Sequence, residues 1–412
     1  MSTLTLDVES IAAGGDGVAR HDGLVVFVPR TAPGDRVTAR VDQKGRLGRG
    51  TVVTVDHEGA DRVVPGCAHY SDDGCGGCQL QHLSWTAQRE AKGRIIADAF
   101  RRIGKRTIAP PEVRSGEREW RYRSKLTLAL RRRGAGWIAG LRAFDDPARV
   151  IPLRDCLIAD ARLVTIWGDL LRVAHLLPDA AELRGAVQLL IDDAGASFTL
   201  EGGHAWPRHE EFVALVPALT ALWWKPEHGV KQLLQDRRAA SREPSSSFAQ
   251  VNREVAALLS AYLLERVRAH GPRTAIDAYA GRGDVALALA GDGTRVTAIE
   301  MDADASRYCA SRLPDGSRAI CARVEDAISA ALPADVVILN PPRTGLDPSV
   351  AARLAAGSCR KAIVYVSCDP ATLARDVARL SAWRIASLTA FDMFPQTAHV
   401  ETVCELVPEV TT

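Results

Sequence analysis

The sequence predicts an α/β protein: a mostly parallel C-terminal sheet, an OB-like β-barrel at the N-terminus and a mixed α+β region between them. Three observations carry this expectation. Beyond residue 273, apolar runs rich in β-branched residues (Thr274–Ala278, Arg295–Glu300, Asp335–Leu339, Lys361–Val366) alternate with helical patterns. That alternation indicates a parallel sheet covered on both faces. Residues 1–58 instead hold short apolar runs (Leu4–Val8, Leu24–Val28, Arg36–Val41, Gly50–Val55) separated by turns such as Gly14-Gly-Asp-Gly and Pro33-Gly-Asp. Runs of this length and spacing suggest a small barrel. Finally, 412 residues is enough chain for two to four domains. The expected divisions are 1–58, 59–240 and 241–412. Within the middle one, Ser84 to Ile103 reads as a helix with Ser84 as N-cap, Lys125–Leu130 as a strand and Ala161–Leu177 as helical. The topology of the middle third stays unassigned.

Composition narrows the class. The chain is 47% hydrophobic and 25% charged, so a packed core is feasible. No apolar run approaches the roughly 18 residues of a membrane span. The start, Met1-Ser-Thr-Leu-Thr-Leu-Asp, lacks the basic and apolar blocks of a secretory signal. The expected compartment is therefore the cytoplasm, with no membrane association and no obligate protein partner. Nine cysteines in that compartment are expected to be metal-binding, catalytic or buried rather than disulfide-bonded. The net charge of +2 conceals an asymmetry: residues 86–135 carry fifteen Lys and Arg against five Asp and Glu. A local excess of +10 is what a polyanion-binding patch would look like.

Five motifs carry chemistry. In Ala275-Ile-Asp-Ala-Tyr-Ala-Gly281-Arg-Gly283-Asp284 a strand runs through a Gly-X-Gly turn into a helix. Glu300 ends the next strand, 23 residues after Asp277, near the offset at which an acid accepts hydrogen bonds from ribose hydroxyls. The third glycine of a dinucleotide fingerprint is missing, so a ligand with ribose and adenine but no pyrophosphate, S-adenosylmethionine, fits better. Next, Val336-Val-Ile-Leu-Asn340-Pro-Pro-Arg343 delivers a stiff loop to a strand's carboxyl end, where open α/β sheets bind ligands. Asn-Pro-Pro also suits methylation of exocyclic amines, so this motif leaves the target atom open. Third, Ser367-Cys368-Asp369-Pro370 puts a thiol just past a strand. Carbon 5 of uracil accepts a methyl group only once a nucleophile has added to carbon 6, and a thiolate can do this. Fourth, His399-Val-Glu401 offers a base for the carbon 5 proton, Glu401 first and His399 second. Fifth, Cys67, Cys75 and Cys78, with Cys156 further on, can hold zinc or an iron–sulfur cluster, and spacing does not choose between them.

With Phe248-Ala-Gln250-Val-Asn252, these motifs resemble the RNA 5-methyluridine methyltransferase family, in particular its iron–sulfur branch, over essentially the whole chain. The resemblance implies an N-terminal TRAM barrel, a cysteine cluster with a central RNA-contacting domain, and a C-terminal Rossmann-like methyltransferase domain. It implies Cys368 as nucleophile and Glu401 as base, with Gln250, Tyr279, Asp284, Glu300 and Asn340 lining the S-adenosylmethionine pocket. It further implies a 4Fe–4S cluster on Cys67, Cys75, Cys78 and Cys156 in preference to zinc. The RNA partner would be ribosomal or transfer RNA, with ribosomal RNA favoured.

The sequence departs from the family pattern at several points. Asn340 stands where the family usually has Asp, and Asp369 and Asp284 stand where it often has Asn. Seven residues rather than five separate Cys67 from Cys75, and Ser71-Asp72-Asp73 is expected to bulge outward. Arg323 occupies the neighbourhood of a usual adenine contact, which stays unassigned. Two other classes compete with this reading, an amino-group nucleic-acid methyltransferase and a catalytically inactive RNA-binding protein.

Overall fold

The computed structural model describes residues 2–134, 136–190, 195–238, 250–357 and 359–409. The first unit is a closed five-stranded barrel of β1 (Ser2–Ile11), β2 (Gly17–His21), β3 (Leu24–Val28), β4 (Arg36–Lys44) and β5 (Leu47–His57), in the order β1-β2-β3-β5-β4. Period-two alternation builds it. Leu6 and Val8 of β1 point inward beside Val26, Val28, Val37, Ala39 and Val41, while Thr5 and Asp7 face out. The two-residue turn Asp22-Gly23 has positive φ at both positions (48° and 80°), which matches the twist of the β2–β3 hairpin.

After the barrel, a helical turn, α1 (Ala68–Ser71), and an 18-residue helix, α2 (Trp85–Arg102), lead to a two-residue strand, β6 (Val113–Arg114). Ser84 caps α2 as the sequence predicts, its Oγ accepting from the Ala87 N–H at 3.2 Å. The predicted outward bulge at residues 71–73 is instead the end of α1, with Ser71 and Asp72 exposed and Asp73 turned back onto the His69 ring at 2.6 Å.

The middle third is a seven-stranded sheet. Its strands are β7 (Lys125–Arg133), β8 (Gly136–Arg142), β9 (Val150–Pro152), β10 (Glu182–Leu189), β11 (Ala196–Glu201), β12 (Leu219–Lys225) and β13 (Gln232–Asp236), ordered β13-β12-β11-β10-β7-β8-β9. Helices α3 (Ala161–Arg172) and α4 (His209–Ala214) cover one face. Trp167 of α3 and Phe212 of α4 meet Phe198 of β11 over Leu126, Leu128 and Leu130.

The last unit begins with α5 (Arg253–Ala269) and alternates as predicted: β14 (Thr274–Ala278), α6 (Asp284–Gly291), β15 (Arg295–Glu300), α7 (Ala303–Ala310), β16 (Arg318–Cys321), α8 (Val324–Ala331), β17 (Ala334–Leu339), α9 (Pro348–Ala355), β18 (Cys359–Ser367) and α10 (Pro370–Arg379). Two further strands, β19 (Trp383–Phe391) and β20 (Glu401–Pro408), complete an eight-stranded sheet ordered β16-β15-β14-β17-β18-β20-β19-β6. All six residues of β17 are buried, as expected of a strand covered on both faces. Only β20 runs antiparallel to its neighbours, and it lies between β18 and β19. Strand β6 closes this sheet's far edge, although it precedes the central sheet in the chain. The expected 240/241 boundary and Phe248 lie outside the described residues. No helix among those described is long and apolar enough to cross a membrane.

Candidate active site

Topology decides where chemistry can occur. The chain passes from β14 to β15 on one side, while β17 and β18 lie on the other, so the carboxyl end of β14 is the switch point at which such sheets bind ligands. A cleft of about 500 Å³ opens there, lined by Tyr279, Ile299, Glu300, Met301, Arg323, Glu325 and the 342–348 loop, among others. Gly283, with φ of 81°, caps α6; a Cβ there would lie 2.2 Å from the Cys309 sulfur, so the turn needs glycine. Tyr279 itself adopts φ of 64°, an uncommon conformation for a residue with a side chain.

Glu300 is held for recognition. One carboxylate oxygen accepts from the Gly281 N–H and the other from the Asp302 N–H, both at 2.8 Å. A carboxylate has about four acceptor sites, so capacity remains for two ribose hydroxyls. Asp277 is buried beneath the turn and accepts from the Ala286 N–H at 3.1 Å; burial, with Asp284 and Glu300 nearby, raises its carboxyl to about 7.

Of the five residues expected at the donor pocket, Tyr279 and Glu300 line the cleft. Asp284 sits at the first turn of α6, exposed and paired with Arg282 (3.1 Å) and Arg312 (3.3 Å). Asn340 ends β17 with an exposed side chain, and its N–H reaches the Ala278 carbonyl at 3.3 Å. Gln250 is half-buried at the start of a described stretch, beside Val251, whose carbonyl accepts from Ser124. The two charged residues near the unassigned adenine contact, Arg323 and Glu325, both line the cleft and pair with each other.

The nucleophile and base candidates come together through strand register. Ser367, the last residue of β18, pairs with Thr402 of antiparallel β20. One residue beyond that pair lie Cys368, just after β18, and Glu401, the first residue of β20, near enough for the Glu401 charge to act on the thiol. The strand that runs the wrong way for a parallel sheet thus carries its first residue to the carboxyl end where the thiol sits. Glu401 is 5% exposed, and burial lifts its carboxyl to about 7 despite Arg343 nearby. Cys368 is half-buried; burial raises its thiol, Glu401 raises it further, and Arg343 opposes both. His399 is exposed, and desolvation of its ring together with Arg343, Lys92 and Arg123 lowers its pKa. Arg343 is a candidate site residue to which sequence reasoning gave no role. It was visible in Asn340-Pro-Pro-Arg343, but only the fold shows its charge acting on all three groups.

The four predicted metal-site cysteines also converge. Cys67, Cys75, Cys78 and Cys156 line one small cavity with Tyr70, Leu141, Leu153 and Ile158. Three of them are buried, and burial with mutual thiolate repulsion pushes Cys78 up to about 12 and Cys156 to about 11. Among the described residues, no three His, Cys, Asp or Glu side chains stand together as ligands of one metal ion. Four cysteines lining one cavity are the donor type that a sulfur-rich cluster takes. Arg30 of the barrel stacks between the Tyr70 and Phe144 rings, 3.9 Å from each, and donates to the Cys75 carbonyl at 2.9 Å, which ties the first unit to this site.

Comparison with known proteins agrees with this architecture. Residues 315–407 match the family model for tRNA (uracil-5-)-methyltransferase, and residues 1–53 match the TRAM domain. The chain is 32% identical to the 23S rRNA (uracil(1939)-C(5))-methyltransferase RlmD of Chromohalobacter salexigens, over 97% of this chain and 88% of that protein. It is 30% identical to an uncharacterized RNA methyltransferase of Thermosynechococcus vestitus, over 98% of both. The fold matches that of the Pyrococcus abyssi tRNA (uracil-54, C5)-methyltransferase in complex with S-adenosyl-L-homocysteine, with a TM-score of 0.71 at 21% identity, covering 98% of this chain and 99% of the other. The chain therefore belongs to the SAM-dependent RNA (uracil-5-)-methyltransferase family.

Proposed function

We propose that the protein methylates carbon 5 of a uridine in ribosomal RNA through a covalent adduct on Cys368. The observation that carries this reading is the β18–β20 register: Ser367 pairs with Thr402, so Cys368, which follows the one, and Glu401, which precedes the other, come to the same end of the sheet. S-adenosylmethionine supplies the methyl group on its sulfonium. The target uridine leaves its stack so that one face of the ring is reachable. The Cys368 thiolate adds to carbon 6, and the resulting enolate attacks the methyl group through carbon 5 as the sulfur–methyl bond breaks and neutral S-adenosylhomocysteine leaves. Arg343 stabilises the thiolate and the developing enolate charge. Glu401 then takes the carbon 5 proton, the electron pair re-forms the 5,6 double bond, and the thiolate departs. Tyr279 and Glu300 hold the donor, with Gln250, Asp284 and Asn340 completing its pocket when it binds. The neutral Asn340 can still accept a hydrogen bond through its carbonyl.

The four clustered cysteines hold a 4Fe–4S cluster in this reading. Its role is structural, because methyl transfer involves no net electron transfer. Protein purified without air would carry about four irons per chain; zinc in place of iron would remove the assignment. Ribosomal RNA is preferred over transfer RNA because the 32% identical relative named above acts on 23S rRNA. The direct test uses methyl-labelled S-adenosylmethionine with unmodified ribosomal and transfer RNA transcripts in parallel, followed by nucleoside analysis. Label in 5-methyluridine from the ribosomal transcript is the expected result. Label only in transfer RNA would overturn the substrate, and label in an amino-methylated base would overturn the chemistry.

A further inference from the structure

Glu401 is delivered by a nine-residue loop, 392–400, that joins β19 to β20. A connection of that length at a sheet's carboxyl end is ordinarily mobile. Here all of it but Phe394 and His399 is buried, and it is fastened by groups from residues 79–122. Lys92 of α2, fully buried, pairs with the equally buried Asp392 and donates to the Phe394 carbonyl at 3.0 Å. The Trp85 indole N–H reaches the other Asp392 oxygen at 2.9 Å. The Tyr122 hydroxyl donates to the Pro395 carbonyl at 2.9 Å. At the centre, Gln88 (1% exposed) and Gln396 (2% exposed) interlock: the Gln396 backbone N–H donates to the Gln88 side-chain oxygen Oε1 at 2.8 Å, and the Gln88 side-chain Nε2 donates to the Gln396 side-chain oxygen at 3.0 Å. The Gln396 carbonyl accepts from the Gln79 and Leu80 N–H groups at 3.1 and 3.0 Å. Gln396 also adopts φ of 70°, a conformation a non-glycine residue keeps only when its surroundings over-determine it.

We infer that Gln88 and Lys92 are positioning residues for the catalytic base: they clamp the 392–400 loop so that Glu401 meets the carbon 5 proton. Packing alone would need neither a fully buried ion pair nor a reciprocal amide pair, and both cost desolvation unless they fix a geometry. The loop is clamped only upstream of Glu401, while the donor cleft and Cys368 are built from other elements. Loosening the clamp should therefore slow proton removal while donor binding and thiolate addition continue. This inference rests on the covalent mechanism proposed above.

The test is Gln88→Met, which keeps the side-chain volume and removes the amide pair. Gln396→Gly serves as a second variant, because glycine keeps the left-handed backbone while deleting the side-chain link. With the full chain, RNA and S-adenosylmethionine, the methylated covalent RNA–protein adduct is quantified on denaturing gels beside KM and kcat. Melting temperature and S-adenosylmethionine affinity report folding. The expected result is a kcat lower by up to about 10²-fold, the scale of a misplacement of roughly 1 Å, an unchanged KM for the donor, and adduct accumulating as in Glu401→Gln. Adduct at wild-type levels in both clamp variants, with Glu401→Gln still accumulating it, would overturn the positioning role alone. Absence of adduct in Glu401→Gln as well would overturn the covalent mechanism and this inference with it.

Discussion

In the proposed mechanism, Glu401 is a carboxylate that its environment fits to act as a base. A surface glutamate is ionised but weakly basic at neutral pH. Buried as it is, Glu401 has its carboxyl raised to about 7, where it accepts a proton readily and still begins the step ionised. Below that value it is already protonated and cannot accept the carbon 5 proton. Single-turnover release of methylated RNA from the adduct should fall about tenfold per pH unit below 7, and Glu401→Gln should lose that dependence; a flat profile from pH 5 to 8 in the wild type would reject the assignment. Cys368 and Glu401 stand out as candidates in the sequence, because Ser367-Cys368-Asp369-Pro370 and His399-Val-Glu401 are distinctive. Their juxtaposition does not, since it depends on the register of two strands 35 residues apart. Among the donor-site candidates, Tyr279 and Glu300 line the cleft, whereas Asp284, paired with Arg282 and Arg312, must exchange those partners for the ligand.

At the scale of elements, local pattern worked where burial was two-sided. Strands β14 and β15 fall on the predicted residues, and β17 and β18 differ by a residue or two at their ends. Lys125–Leu130 falls within β7, but the rest of the central sheet and strands β16, β19 and β20 escaped because short or half-buried strands give weak periodicity and their pairing is set at long range. The turn between β14 and α6 is the element on which donor binding depends. Gly283→Ala must place a methyl group against the Cys309 sulfur and hold φ at 81°. The expected cost is about 1–3 kcal/mol of stability, with S-adenosylmethionine affinity reduced at least tenfold by calorimetry. An alanine variant that melts and binds like the wild type would show that the turn does not require glycine.

At the scale of the molecule, the three sequence segments are less separate than their patterns suggest. Helix α2 packs Ile96 and Phe100 into the core of the C-terminal sheet, and β6 extends that sheet's edge. Arg30 ties the barrel to the cysteine site, and Gln79 and Leu80, just after Cys78, bind the loop that carries the base. No local reading of residues 59–240 reveals the ties to the base-carrying loop, since their partners lie some 300 positions away. Their energetic weight can be measured. Lys92→Met leaves Asp392 buried and unpaired, and should cost about 3–5 kcal/mol in urea unfolding; a loss under about 1 kcal/mol would mean that the pair does not staple the units together. The central claim, that Cys368 and Glu401 act in sequence on carbon 5 of uridine, is tested most directly by mass spectrometry of the Glu401→Gln protein after incubation with RNA and S-adenosylmethionine. The account predicts a methylated uridine bonded to the peptide containing Cys368. Free 5-methyluridine formed at the wild-type rate, with no bonded peptide, would contradict it.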